Sequence, residues 1–121
     1  MNEGINEAAA AALAVTAVEW FKASRRLVAL AGATEPVRGT RERAQLAFSR
    51  SKVEDALSAV GMRLVDHDGE TFSPELPAEP VNPEDFGSEE ALTVSSTIEP
   101  TVMLSGRILS RGRVVLAKAG N

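Results

Sequence analysis

The chain has 121 residues, enough for one ordinary domain or two very small ones. It contains no cysteine, no tyrosine and one histidine, which excludes disulfides and most metal-site or nucleophilic chemistry. The formal net charge of −4 argues against nucleic-acid binding as its main activity. Aromatic residues make up only 4 % of the chain, so we expect a thin core that gains stability by association.

Neither a secretory signal nor a membrane span is expected. The start of the chain, from Met1 to Gly4, has no basic segment ahead of an apolar stretch. The longest apolar run, Ala8 to Val15, is shorter than the ~20 residues that cross a bilayer. Together with the absence of cysteine, this predicts a cytoplasmic protein with no membrane partner.

A long first helix is predicted over about residues 6–31, which contain no glycine or proline and many alanines. Apolar residues recur there at steps of three and four, the spacing of one helix face. The stripe includes Leu13, Ala17, Phe21 and Val28. Other apolar residues lie off the stripe, so the helix needs a partner helix from the same chain or from another copy.

A second helix is predicted from Val37 or Thr40 to Val60, after a break at Pro36 and before Gly61. Its apolar stripe includes Val53 and Leu57. Two helices joined by so short a loop should pack as an antiparallel hairpin.

After Gly61 the pattern changes to short strands and turns. Strands are predicted at 62–65, 91–98, 101–104 and 113–117, with turns at Asp68-Gly69, Ser105-Gly106 and Arg111-Gly112. Prolines recur at every third position from 74 to 83, which favours an extended connector without hydrogen bonds of its own. The predicted fold class is therefore α+β, with helices over 1–61 and a small all-β domain over 62–121.

Three arginines, Arg107, Arg111 and Arg113, mark the segment from Gly106 to Lys118, which the pattern predicts to be two strands around a basic turn. They could grip a phosphate or an acidic partner, since guanidinium offers a planar fork of donors. They could equally be exposed turn residues that keep a strand edge soluble. The residue pattern leaves both interpretations open.

The sequence offers little else for chemistry. The run Asp66-His67-Asp68 could be a metal or acid–base site, but adjacent residues point apart, so a solvated turn is favoured. No phosphate-binding loop, dinucleotide glycine pattern or Ser/His/Asp set is present. We therefore expect neither an enzyme nor a bound metal or cofactor.

Two segments resemble the GrpE family. The run from Val53 to Pro74 is similar to the part of GrpE proteins where a bundle helix ends at glycine and leads through Asp and Gly-Glu to a Phe-Asp-Pro motif, here Phe72-Ser73-Pro74. The run from Gly106 to Lys118 resembles the last β-hairpin of that family, which begins Gly-Arg and closes in Ala-Lys. The two segments cover about half the chain.

The resemblance implies a homodimer whose helices form a four-helix bundle, with a compact β-wing on each protomer. It also implies the activity: GrpE-like proteins bind the ATPase domain of DnaK-type heat-shock chaperones and promote ADP release. By the same resemblance, Arg107, Ile98 and Leu116 would contact the chaperone, and Phe72 and Pro74 would anchor the wing. The dimer interface would contain Leu13, Ala17, Phe21, Val28, Val53 and Leu57.

The chain departs from the family pattern in several places. Thr101-Val102 stands where the family has Gly followed by an aromatic residue, Ser110 to Gly112 replaces an Arg-Pro-Ala turn, and the first helix is short. These departures motivate an alternative, a dimeric adaptor that presents a GrpE-like wing without promoting exchange. An enzyme that uses the turn at His67 is a third and weaker hypothesis.

Overall fold

The computed structural model describes residues 6–32, 36–87 and 89–119, and within them the chain is an α+β protein. Two helices are followed by six short strands. The chain divides into two compact units between Arg63 and Leu64. The α+β class predicted from the sequence is confirmed.

The helical unit consists of α1, Glu7–Gly32, and α2, Pro36–Ser58. At the start of α1, the side chain of Asn6 accepts a hydrogen bond from the backbone N–H of Ala9 at 2.8 Å, which caps the helix. The two helices pack against each other, and only three residues join them, so they run antiparallel as predicted. Residues 33–35, where the helical break was predicted, lie outside the described residues.

A face of small residues is buried on α1. Ala10, Ala14, Ala17 and Phe21 are spaced by three or four residues and are at most 8 % exposed. Alanines at such a face let helices approach closely, but each buries little apolar surface. Several larger apolar side chains stay exposed on the same two helices, namely Val15, Leu27, Val28, Leu30 and Phe48.

The β unit is built on two three-stranded sheets. The strands are β1 (Met62–Val65), β2 (Ala78–Pro80), β3 (Leu92–Glu99), β4 (Thr101–Leu104), β5 (Arg107–Ser110) and β6 (Gly112–Lys118). One sheet has the order β1-β4-β5 and the other the order β2-β6-β3. A single residue separates β3 from β4, and a single residue separates β5 from β6.

Strands β3 to β6 form one long hairpin that bends in the middle. β4 pairs antiparallel with β5, and β3 pairs antiparallel with β6. The first arm passes from one sheet to the other at Pro100, between β3 and β4. The second arm does so at Arg111, between β5 and β6. The turn predicted at Arg111-Gly112 is therefore wrong, because the chain bends there between sheets, and the predicted turn at Ser105-Gly106 is the real tip.

The proline-rich segment is more ordered than predicted. Its strand β2 pairs parallel with β6, with Ala78 opposite Gly112, and Val81 N–H donates to the carbonyl of Val114 at 2.9 Å. A short 3-10 helix follows over Pro83–Asp85. The prediction of a connector without hydrogen bonds was wrong, since prolines are compatible with an edge strand, and β2 lies at an edge of its sheet.

The core of the β unit lies on the inner face of the second sheet. Ala78, Val94, Val114 and Leu116 are at most 4 % exposed, and Phe72, Leu76, Phe86 and Leu92 pack against them. Alternate residues of β6 point inward, as the period of a strand requires.

An ion pair anchors the outer ends of β3 and β6. Glu90 accepts a hydrogen bond from the Gly87 N–H at 2.8 Å and pairs with Lys118 at 3.1 Å. The hydrogen bond from the Gly87 N–H has the larger effect on the pKa of the Glu90 carboxyl and the Lys118 ammonium the next largest. Both lower that pKa below its usual value.

None of the described helices combines the length and the apolar character that a membrane span requires.

Candidate partner-binding surface

Arg107 lies beside the tip of the bent hairpin. Ser105 and Gly106 have φ values of 52° and 83°, the left-handed pair that a tight two-residue hairpin turn requires. The turn brings Leu104 opposite Arg107. This turn holds the first residue of β5 at a defined place on the surface, where the arginine side chain is exposed.

The charge of Arg107 is not neutralised within the part of the chain that the structure describes, where no carboxylate lies within ion-pair distance of it. The next residue, Ile108, is 44 % exposed. A guanidinium without an ion-pair partner beside an exposed aliphatic side chain is typical of a surface that binds another protein, because arginine is enriched at protein–protein interfaces.

Ile98 lies at an irregularity of β3. The pairing with β6 shifts register between Thr97 and Glu99, so Ile98 has no partner opposite it. A bulge of this kind turns a side chain away from the ladder. Ile98 is 39 % exposed although large and apolar.

Leu116 is not part of this surface. It is 4 % exposed and belongs to the core formed with Val94 and Val114. Its position on the inward-facing register of β6 explains the burial. A role for Leu116 in a partner contact is therefore limited to supporting the sheet from inside.

The other two arginines of the segment differ from Arg107. Arg111 donates to the Leu76 carbonyl at 3.2 Å and lies 3.5 Å from a carboxylate oxygen of Glu79, so it ties the bend to the segment before β2. Arg113 is exposed and lies opposite Glu99. Of the three, Arg107 alone stands next to the hairpin tip.

His67 belongs to a buried network that the sequence analysis missed. The side chain is 2 % exposed, and its Nε2 lies 2.7 Å from Thr101 Oγ1. The Thr101 hydroxyl donates its only proton to the Pro77 carbonyl at 2.6 Å, so His67 Nε2 must be the donor to Thr101. The predicted solvated turn was wrong, because the aspartates flank an inward-facing histidine.

The same histidine is held from a second side. Its backbone N–H donates to Thr97 Oγ1 at 2.9 Å, while its Nδ1 has no hydrogen-bond partner and lies 3.5 Å from Glu70. The network therefore ties the turn after β1 to the two residues that flank the bend, Thr97 and Thr101. No signal within the sequence pairs residues so distant along the chain.

Within the described ranges, no cluster of three histidine, cysteine or carboxylate side chains could hold a metal ion.

The residues predicted for a dimer interface fall into two groups. Ala17, Phe21 and Leu57 are buried in the single chain, at 3 %, 8 % and 3 % exposure. Leu13 and Val53 are half-buried, and Val28 is 39 % exposed. Only the second group has apolar surface left to cover in an interface between copies.

Comparison of the chain with models of protein families, with curated proteins and with solved structures found no match.

Proposed function

We propose that this protein is a GrpE-like nucleotide exchange factor that binds the ATPase domain of a DnaK-type chaperone and promotes ADP release. The observation that carries the proposal is the exposed Arg107, unpaired by any described carboxylate and placed beside the two-residue turn at Ser105-Gly106. The resemblance of residues 53–74 and 106–118 to that family supplies the partner. Cytoplasmic localisation belongs to the same proposal.

The proposed mechanism needs no reactive group. A protein that binds the open, nucleotide-free form of an ATPase more tightly than the closed form shifts the population toward the open form. The coupling is reciprocal, so it weakens ADP binding by the same factor. A surface for this purpose must be rigid, and the bent hairpin is braced by the network of His67 and by Arg111.

The proposed contact surface consists of Arg107, Ile108 and Ile98. Arginine supplies a charge-assisted bond to a carboxylate or carbonyl of the chaperone. Ile108 and Ile98 supply apolar area. They are 44 % and 39 % exposed in the single chain, so a partner could bury this area.

Replacing Arg107 by alanine should weaken binding to the nucleotide-free chaperone by ~1–3 kcal/mol, or about 5- to 150-fold. The reason is the loss of a charge-assisted contact at a partly desolvated interface. Titration calorimetry with the chaperone's isolated ATPase domain measures the effect. Arg113→Ala is the matched control, since it removes an exposed arginine from the same hairpin away from its tip, and we expect its affinity to match that of the unaltered protein. Equal losses in both variants would contradict a role for the tip.

We also propose a homodimer in which a second copy covers the apolar surface left on the predicted stripe of α1, at Leu13 and Val28. Exposed aliphatic residues clustered on helices mark association surfaces. Sedimentation at micromolar concentration should give a dimer. Val28→Glu should weaken the dimer about tenfold or more, because it places a charge in an apolar interface, whereas Val15→Glu, off the predicted stripe, should not. A monomeric unaltered protein would contradict the proposal.

The alternative is a dimeric adaptor that binds a partner through the same surface without exchange activity. Thr101 and Val102 favour this adaptor, because both are core residues at 0 % exposure and stand where the family has Gly and an aromatic residue. Binding of a partner that lacks an ATPase domain would support the adaptor.

A further inference from the structure

Strand β5 lies at an open edge of its sheet. It pairs with β4 on one side, and no other described segment pairs with its second side. Three of its four residues, Arg107, Ile108 and Ser110, are exposed, and Leu109 is half-buried. An edge strand of this kind presents unpaired backbone N–H and C=O groups, to which a further strand can be added.

The other three sheet edges are less open than that of β5. The segment between β1 and β2 borders β3, where the Glu70 carbonyl accepts a hydrogen bond from the Val94 N–H at 2.9 Å. Strand β2 ends in Pro80, which has no N–H to donate. In β1 only Arg63 is exposed. Among the described strands, β5 therefore has the edge best suited to receive another strand.

The tight turn at the tip of the hairpin determines which backbone groups of β5 point away from β4. A two-residue turn closes on a pair whose N–H and C=O groups face each other, here Leu104 and Arg107. These groups alternate in direction along a strand, so the N–H and C=O of Ile108 point to the open edge. Leu109 is an extra residue at a register shift, which keeps the regular stretch short. Side-chain contacts must therefore supply much of the specificity.

The side chains along this edge define the kind of strand that it accepts. Arg107 has no carboxylate within ion-pair distance among the described residues, and Ile108 is 44 % exposed. An added strand with a carboxylate beside Arg107 and an apolar residue beside Ile108 complements both. Strand β5 of a second copy is less suitable, because β5 contains no acidic residue.

We infer that β5 receives an extended segment of a partner protein, apolar with a carboxylate, as an additional strand of its sheet. Backbone hydrogen bonds at Ile108 supply affinity, and the side chains of Arg107 and Ile108 supply specificity. The inference rests on the proposed function in that it uses the same contact surface and states how the partner is held there. It does not require that binding promotes ADP release.

The probe is a synthetic peptide of about eight residues in which valine and threonine alternate, with one glutamate near each end. Added to the full chain, it should slow the exchange of the Ile108 N–H with solvent about tenfold or more, in a saturable manner that NMR measures residue by residue. Replacing the two glutamates of the peptide by glutamine should weaken binding about threefold.

A second peptide separates strand pairing from charge. It has the same length and the same glutamates, but prolines replace its valines, so it keeps the charge and an extended backbone while losing half of its N–H donors. We expect it to bind at least about tenfold more weakly than the first peptide.

The matched variants of the protein act on the same hydrogen bonds. Ile108→Pro removes the N–H that points to the open edge, and Ile108→Val keeps that N–H with nearly the same side chain. We expect the first variant to lose at least about tenfold in affinity for the valine peptide and the second to remain within about threefold. Exchange of the buried Val94 and Val114 amides checks folding, and the two peptides carry the test if Ile108→Pro does not fold.

Several results would overturn the inference. These are equal binding of the valine and proline peptides, equal affinity of folded Ile108→Pro and Ile108→Val, or an Ile108 N–H whose exchange no concentration of the valine peptide slows. Protection of Ile108 that rises with protein concentration in the absence of peptide would show that a second copy occupies the edge instead.

The outcome for strand addition is distinguishable from that for exchange activity. A protein that binds the valine peptide at β5 but leaves ADP release unchanged would contradict the exchange activity alone. A protein that accelerates ADP release while the chaperone leaves the Ile108 N–H unprotected would contradict strand addition alone.

Discussion

Replacing Gly112 by alanine should destabilise the β unit by about 3 kcal/mol, at the upper end of the cost of overpacking a core. A Cβ at this position would lie 2.7 Å from the Glu99 carbonyl oxygen and 2.9 Å from the Thr101 backbone nitrogen. Both atoms belong to the backbone and flank the bend at Pro100, so neither can move aside without shifting a strand.

The reason for this close approach is the bend itself. Gly112 also donates its N–H to the Pro77 carbonyl at 3.1 Å and lies opposite Ala78 in the parallel pair. Three backbone segments thus converge on one residue without a side chain. Any larger residue there should separate the two sheets.

Hydrogen exchange of the buried Val94 and Val114 amides measures the stability of the β unit apart from that of the helices. Gly87→Ala is the control, because among the described residues its Cβ would meet only a Glu90 oxygen at 3.9 Å, and we expect a change of less than about 0.5 kcal/mol. Unaltered protection in Gly112→Ala would show that the backbone of Glu99 and Thr101 does not approach Gly112 as closely as described.

Replacing Thr101 by valine should cost about 2 kcal/mol, because it leaves a buried N–H donor without an acceptor. The Nε2–H of His67 would lose the Thr101 hydroxyl, and the Pro77 carbonyl would keep only its hydrogen bond from the Gly112 N–H. The side chains of threonine and valine have nearly the same shape, so the change in packing is small.

Thr93→Val is the matched control, since its hydroxyl donates to the Glu70 carbonyl at 3.1 Å near the surface and its loss should cost less than about 1 kcal/mol. The imidazole N–H of His67 gives a second readout. In the unaltered protein it should appear in the proton NMR spectrum as a slowly exchanging signal, and it should be lost in Thr101→Val. A proton found on Nδ1 instead would contradict the assigned network.

Local pattern was sufficient for the elements that depend on nearby residues. The predicted strands at Met62–Val65 and Thr101–Leu104 have the bounds found in the structure. The helices begin and end within a few residues of the predicted positions, because alanine content and glycine stops act locally. The turn at Ser105-Gly106 is likewise set by two adjacent residues.

What the sequence could not supply was the arrangement of distant segments. The bend at Arg111, the parallel pairing of Ala78–Pro80 and the inward position of His67 each depend on contacts more than 30 residues away. The residues of the candidate surface also differ in whether nearby or distant residues determine their exposure. The exposure of Arg107 follows from a local turn, whereas the burial of Leu116 depends on which face of β6 meets the core.

Release of fluorescently labelled ADP from a DnaK-type chaperone of the same cell, followed by stopped flow, tests the proposed exchange activity directly. We expect the unaltered protein to accelerate release in a concentration-dependent way, Arg113→Ala to do the same, and Arg107→Ala to need a higher concentration for the same rate. A release rate that the protein leaves unchanged with every DnaK-type chaperone of that cell would show that it is not an exchange factor.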